Sequence, residues 1–173
     1  MPGEIDLEGR KWAYADARSF YYAYKAIYRR ECFAVRMEKE QPRILDGGAH
    51  VGMASRYWKE RMPGAEILAI EADGDLVALL RENIEGLGEP PVEVIHGALW
   101  KNSKGVEFAV QGADAGFVVQ ADEPPQVKKV KVPSVTLEDW VGERPVDLLK
   151  MDIEGAETEV LRAGRAALSW VDR

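Results

Sequence analysis

Ile44-Leu45-Asp46-Gly47-Gly48-Ala49-His50-Val51-Gly52 reads as an apolar strand that ends in an acid, breaks into a glycine-rich turn and enters a helix. Glycines at such a turn let a ligand approach the backbone where a Cβ would block it. The following helix turns its free N–H groups into the same space. Ala54, Tyr57, Trp58 and Met62 share one face of that helix, and Pro63-Gly64 stops it. The next strand, Ile67-Leu68-Ala69-Ile70, also ends in an acid, Glu71, nineteen residues after Gly52. Strand, glycine turn, helix, strand, acid is the unit with which α/β proteins hold an adenosine-containing cofactor.

Two cofactors fit that unit. Gly47-x-Ala49-x-x-Gly52 satisfies a relaxed dinucleotide fingerprint, with Glu71 placed for the ribose hydroxyls. The same residues are Asp46-x-Gly48-x-x-x-Gly52, the pattern of enzymes that use S-adenosylmethionine (SAM). Charge separates the two. A dinucleotide would set a pyrophosphate against Asp46, whereas SAM carries a sulfonium and an ammonium beside one carboxylate. An opposite charge at ~4 Å is worth a few kcal/mol before desolvation, so SAM is the better partner for this turn.

The pattern continues outward from the turn. Asp73 or Asp75 can cap a helix with the stripe Leu76, Leu80, Ile84 and Leu87, and Val92 to His96 forms a third strand followed by Gly97-Ala98-Leu99. Repeated strand–helix–strand units imply a mostly parallel sheet with helices on both faces. Val106–Val110 and Gly116–Val119, separated by Gly112-Ala113-Asp114-Ala115, read as a hairpin, and 122–125 as a loop. Val127 to Val135 alternates like another strand. Thr136 and Asp139 have capping-box spacing, and Val146–Met151 is the last strand, ahead of a helix through Val160, Leu161, Ala167 and Leu168. Upstream, Ala15 to Val35 reads as a helix with Phe20, Tyr21, Tyr24, Ile27 and Tyr28 at threes and fours, either packed on the sheet or walling the site as a lid. The expected organisation is one domain over 1–173, with an N-terminal helical cap (1–41) on an α/β core (42–173).

Composition narrows the partners. The chain is 46% hydrophobic and 31% charged with a net charge of −7, which excludes a general nucleic-acid or anionic-membrane binder. Lys128-Lys129 and Arg29-Arg30 are too short to change that. No apolar run approaches the ~20 residues of a membrane span, and the acidic start Met1–Asp6 lacks a signal core. Cys32 is the lone cysteine, so a cytoplasmic setting is the expectation, with no metal cluster.

Taken together, Asp46–Gly52, Ala69-Ile70-Glu71-Ala72-Asp73, Val135–Asp139 and Asp147-Leu148-Leu149-Lys150-Met151-Asp152-Ile153-Glu154-Gly155-Ala156-Glu157 resemble the FkbM-like methyltransferases. The resemblance runs from about Ile44 to Arg162 and implies a Rossmann-like class I fold and SAM-dependent O-methylation of a small hydroxylated molecule or sugar. It also implies that Asp46, Gly48, Ala49 and Gly52 line the methionine part of SAM. Glu71 takes the ribose hydroxyls, and Gly97 and Ala98 present backbone to the adenine. His50 stands where the family usually has asparagine, which alters a polar contact to the cofactor. The family continues past the last helix with further strands. The sequence stops before them, so the expectation is either a truncated form or a homodimer in which a second copy of the chain covers the otherwise apolar edge of the last strand.

Methyl transfer needs the acceptor oxygen held in line and its proton removed. Asp152, past a core strand, reads either as the base or as a helix N-cap. Glu154 is a candidate beside it, though it and Glu157 also suit a helix N-terminus. Lys150 reads as a catalytic group or as one half of an ion pair with Asp46 or Asp152, because an unpaired ammonium in an apolar strand is costly. His50 and His96 are further candidate bases. Asp46 with Asp152 lacks the third ligand of a metal site. Two rival readings remain at this level, a SAM-binding domain without turnover and a nicotinamide oxidoreductase.

Overall fold

The computed structural model describes residues 2–110, 116–118, 128–142 and 144–173. The chain opens with a hairpin, β1 (Gly3–Leu7) and β2 (Arg10–Tyr14), joined at Glu8-Gly9, where both residues take positive φ. The N-terminal segment is therefore more than helical. Ile5 and Trp12 are cross-strand partners, and a two-residue turn lets so short a pair close. Helix α1 (Ala17–Tyr24) follows, capped by the Asp16 carboxylate on the N–H groups of Arg18 and Ser19 at 2.9 Å. It continues as a π-helical turn over Lys25–Arg29. The long helix read from the sequence stops at Arg29.

The core is β3 (Arg43–Gly47), α2 (Met53–Arg61), β4 (Glu66–Glu71), α3 (Gly74–Ile84), β5 (Glu93–His96) and β6 (Ala98–Leu99). Then come β7 (Val106–Val110), β8 (Gly116–Val118), β9 (Lys128–Val132), β10 (Ser134–Val135), α4 (Leu137–Val141), β11 (Leu148–Met151) and α5 (Glu157–Ala163). A four-stranded parallel sheet runs β11-β3-β4-β5, a Rossmann-like α/β arrangement. β6 and β10 pair in parallel beside it, and β7 lies antiparallel between β8 and β9, as the hairpin reading required. The segments 112–115 and 122–125 fall outside the described residues, as does Val119.

Strand alternation sorts the two faces. Ile44, Ile67 and Leu148 pack against Trp12, Phe20, Tyr24, Tyr57 and Trp58. Leu45, Leu68 and Ile70 pack against Leu137, Val141, Val160 and Ala167. Helices therefore cover both faces. The Thr136–Asp139 capping box is present in full. The last helix is broken: α5 ends at Ala163, and Ala167–Trp170 forms a 3-10 turn. Residues 170–173 then run alongside β11. Val146 N–H donates to Trp170 O at 2.7 Å, Asp172 N–H to Val146 O at 2.9 Å, and Leu149 N–H to Arg173 O at 2.8 Å. Part of the edge expected to lie open is thus taken by the chain's own tail. Among the described residues no helix is long and apolar enough to cross a membrane.

Candidate functional site

The carboxyl ends of β3, β4, β5 and β11 meet where the strand order reverses, between β3 and β11, which is where open α/β sheets bind ligands. A cavity of about 220 Å³ opens there. Of the residues singled out from the sequence, Gly48, His50, Glu71, Gly97, Ala98, Asp152 and Glu154 line it, while Asp46, Ala49, Gly52 and Lys150 stand behind its wall.

The turn itself has little freedom. Gly48 has φ +70°, and a Cβ there would sit 1.9 Å from the Asp152 carbonyl, so only glycine lets β3 and β11 approach this closely. The N–H groups of Gly48 and Ala49 both donate to Ile70 O, at 2.9 and 3.0 Å, and Asp152 N–H donates to Gly47 O at 3.1 Å. His50 also has positive φ, +53°, a conformation asparagine and histidine adopt more readily than most residues. Gly52, at φ +79°, begins α2 against Leu80 and Ile84.

Glu71 ends β4 inside the cavity wall. Its Oε2 accepts from His50 N–H at 2.8 Å and its Oε1 from Asp73 N–H at 2.9 Å. Those bonds fix the carboxylate while leaving each oxygen a second lone pair. Asp73 caps α3 through Asp75 N–H at 2.9 Å and lines the cavity as well. Gly97 lies past β5, and a Cβ there would be 2.9 Å from Pro133 O.

Asp46 lies elsewhere than its charge suggested. It is fully buried, with Oδ2 accepting from Ser55 Oγ at 2.7 Å and Oδ1 3.0 Å from Lys150 Nζ. Oδ1 has no well-aligned hydrogen bond, because the ammonium donates to Gly48 O at 2.6 Å and Gly47 O at 3.3 Å. Asp152 and Glu154 are exposed at the rim. Asp152 does not cap the next helix: α5 starts after Ala156 without a side-chain cap, and it is Glu157 that reaches back, accepting from Ile153 N–H at 2.9 Å. His96 sits outside the cavity with Nε2 3.2 Å from Ala72 O. Among the described residues no cluster of three or more His, Cys, Asp or Glu is placed to hold a metal.

Two contributions to the wall went unread in the sequence. Ser19 and Ala23 of α1 line the cavity, while Phe20, Tyr24 and Ile27 of the aromatic stripe are buried around Trp12. The helix therefore packs with Phe20 and Tyr24 and offers the cavity its small residues, while Tyr21, expected in the same stripe, is exposed. Phe108 and Val118 of the β7–β8 hairpin close another side. Asn83, outside the wall, ties the N-terminal hairpin to the turn ahead of α2, since its Oδ1 accepts from Ala13 N–H at 2.7 Å and its Nδ2 donates to the carbonyls of Ala13 and Val51, both at 2.8 Å. A polar residue in a helix otherwise striped with leucines was the available signal.

Comparison with known proteins agrees with this architecture. The chain is 28% identical over 163 residues to methyltransferase 1 of Beauveria bassiana, covering 82% of this chain and 66% of that protein. It is 26% identical over 152 residues to the 2-O-methyltransferase NoeI of Sinorhizobium fredii, covering 77% of this chain and 61% of that protein. Methyltransferase sdnD of Sordaria araneosa is 28% identical, with 86% of this chain and 73% of that protein covered. The chain thus spans somewhat under two thirds of the length of the first two relatives. The methyltransferase FkbM domain model matches residues 46–172, from the acid of the glycine turn to the strand-paired tail. The chain belongs to the FkbM methyltransferase domain family, a family that uses S-adenosylmethionine.

Proposed function

We propose that this chain binds SAM in the cavity at the carboxyl ends of the parallel strands and transfers its methyl group to a hydroxyl of a small molecule or sugar, leaving S-adenosylhomocysteine. The observation that carries the reading is Glu71. Two backbone N–H groups orient its carboxylate beside a glycine turn that no Cβ obstructs, and it faces a cavity whose described wall holds no lysine or arginine. That arrangement suits a ribose diol and a net positive ligand, and it disfavours a pyrophosphate.

In this reading Glu71 accepts from the ribose hydroxyls, while Gly97 and Ala98 border the adenine. Gly48 and His50 face the methionine end, with Ala49 and Gly52 supporting the turn from behind. When bound, SAM supplies an electrophilic methyl carbon whose bond to sulfur breaks as the acceptor oxygen bonds to it. Asp152, exposed at the rim, takes the acceptor's proton, and Glu154 beside it orients the acceptor. Ser19 and Ala23 of α1 form the side from which a small hydroxylated acceptor is held.

Calorimetric titration with S-adenosylhomocysteine, with NAD and NADP as controls, tests the cofactor. Micromolar binding of the homocysteine compound alone is expected. Glu71→Ala should weaken it by about 2 kcal/mol, the worth of a charged hydrogen bond, while the chain stays folded. Unchanged affinity would remove the ribose contact, and binding of NAD in its place would sink the reading.

A further inference from the structure

Lys150 is the one cation built into the C-terminal end of the described core sheet, and its surroundings define its task. It stands opposite Asp46 in the parallel register, with its side chain 12% exposed. An ammonium has three donors. Here the carbonyls of Gly48 and Gly47 and the Asp46 carboxylate lie around it, at 2.6, 3.3 and 3.0 Å. Its hydrogen bonds go to the two carbonyls, and its charge is paired with the Asp46 carboxylate. Asp46 is equally committed, with Ser55 on its other oxygen. Two residues beyond Lys150, the Asp152 carbonyl presses on Gly48 so closely that no side chain fits between them.

We propose that Lys150 is the positioning residue of the glycine turn. Its ammonium gathers the turn's carbonyls onto β11, and so sets how the turn and Asp152 stand relative to each other, without itself exchanging a proton with the acceptor. A consequence follows for Asp46, whose charge is spent on Lys150 behind the wall. The positive groups of the cofactor then meet the carboxylates at the rim. The ligand half of this inference rests on the SAM reading; the conformational half does not.

Lys150→Met alone would leave Asp46 as a buried, unpaired carboxylate and report mainly on stability. The informative pair is Lys150→Met/Asp46→Asn, which removes both charges, against Asp46→Asn, which keeps the ammonium on the carbonyls. Amide hydrogen exchange is read at Gly48 and Ala49, with the α3 amides as the internal reference, alongside titration with S-adenosylhomocysteine. In the double variant, exchange at the two turn amides should accelerate about tenfold over Asp46→Asn, and the Kd should rise about tenfold, the worth of a lost charged hydrogen bond. Equal exchange in the two variants would overturn the proposal. So would weakened binding with the turn amides unchanged, because Lys150 would then be touching the ligand. If the wild-type chain does not bind S-adenosylhomocysteine, the cofactor reading falls, and the exchange comparison still decides the role of Lys150.

Discussion

The two ends of the parallel sheet carry similar numbers of charged groups and treat them in opposite ways. Where β3, β4 and β11 begin, the charges of Arg43, Glu66 and Asp147 are met within the protein. The Arg43 guanidinium donates to the carbonyls of Arg144, Trp140 and Pro145 at 2.7, 3.0 and 3.3 Å and lies 4.3 Å from the Trp140 ring centre. Asp147 accepts from Arg43 N–H at 2.9 Å and from Lys39, and Glu66 pairs with Arg144 at 2.7 Å. Where the strands end, Glu71 is held by neutral N–H groups, Asp73 caps a helix, and Asp152 and Glu154 are exposed. Lys150 is spent on Asp46 behind the wall. One end is a neutralised seam that stabilises, and the other keeps an unbalanced negative potential that attracts a positive ligand.

Substitutions can break or sharpen that contrast. The largest effect belongs to the seam between β3 and β11. Gly48→Ala puts a Cβ into the Asp152 carbonyl at a positive φ, and should cost on the order of 4 kcal/mol from overpacking plus backbone strain. Urea denaturation checks this, and a loss under about 1 kcal/mol would mean the turn is freer than its geometry implies. At the ligand end, Asp152→Asn should leave the urea midpoint unchanged and lower methyl transfer about 100-fold if it is the base. Single-turnover rates against pH make the measurement, and an unaltered rate would move the base elsewhere.

At the other end, Arg43→Met should lose about 2 kcal/mol of stability, chiefly from carbonyls left unpaired, with affinity for S-adenosylhomocysteine unchanged. A large loss of affinity would show that the two ends are coupled. The smallest effect is a pH dependence. Burial pushes the Asp147 carboxyl up, but Lys39 and the Arg43 N–H outweigh it and hold the group below the ordinary carboxylate range. Its stabilisation is then complete above about pH 4 and disappears as pH falls through the lower folded value. The stability gap between wild type and Asp147→Asn should therefore narrow below about pH 4. A gap that stayed constant, or widened on acidification, would contradict this sign.

Legibility tracked the range of the interactions. The glycine turn, the acid at the end of β4, the helix cap at Asp73 and the capping box at Thr136 rest on residues within a few positions of each other, and the structure holds them where the pattern placed them. The N-terminal hairpin was harder to see, because its strands are five residues each and the aromatic periodicity that follows reads as one long helix. Asp46 shows the limit most plainly. As a charge beside a glycine turn it argued for a positive cofactor, yet it is paired with a lysine brought in by a strand more than a hundred residues later.

By itself, then, the sequence determined the alternation of strands and helices, the turn chemistry at Gly48 and Gly52 and the family, because side-chain period and backbone conformation are set locally. Tertiary structure alone decided which carboxylate is neutralised and which faces the cavity, that α1 offers Ser19 and Ala23 while Phe20 and Tyr24 pack inward, and that the tail at 170–173 lies against β11. Those outcomes depend on register and on burial across distant segments, where one residue's slip would exchange the two faces of a strand.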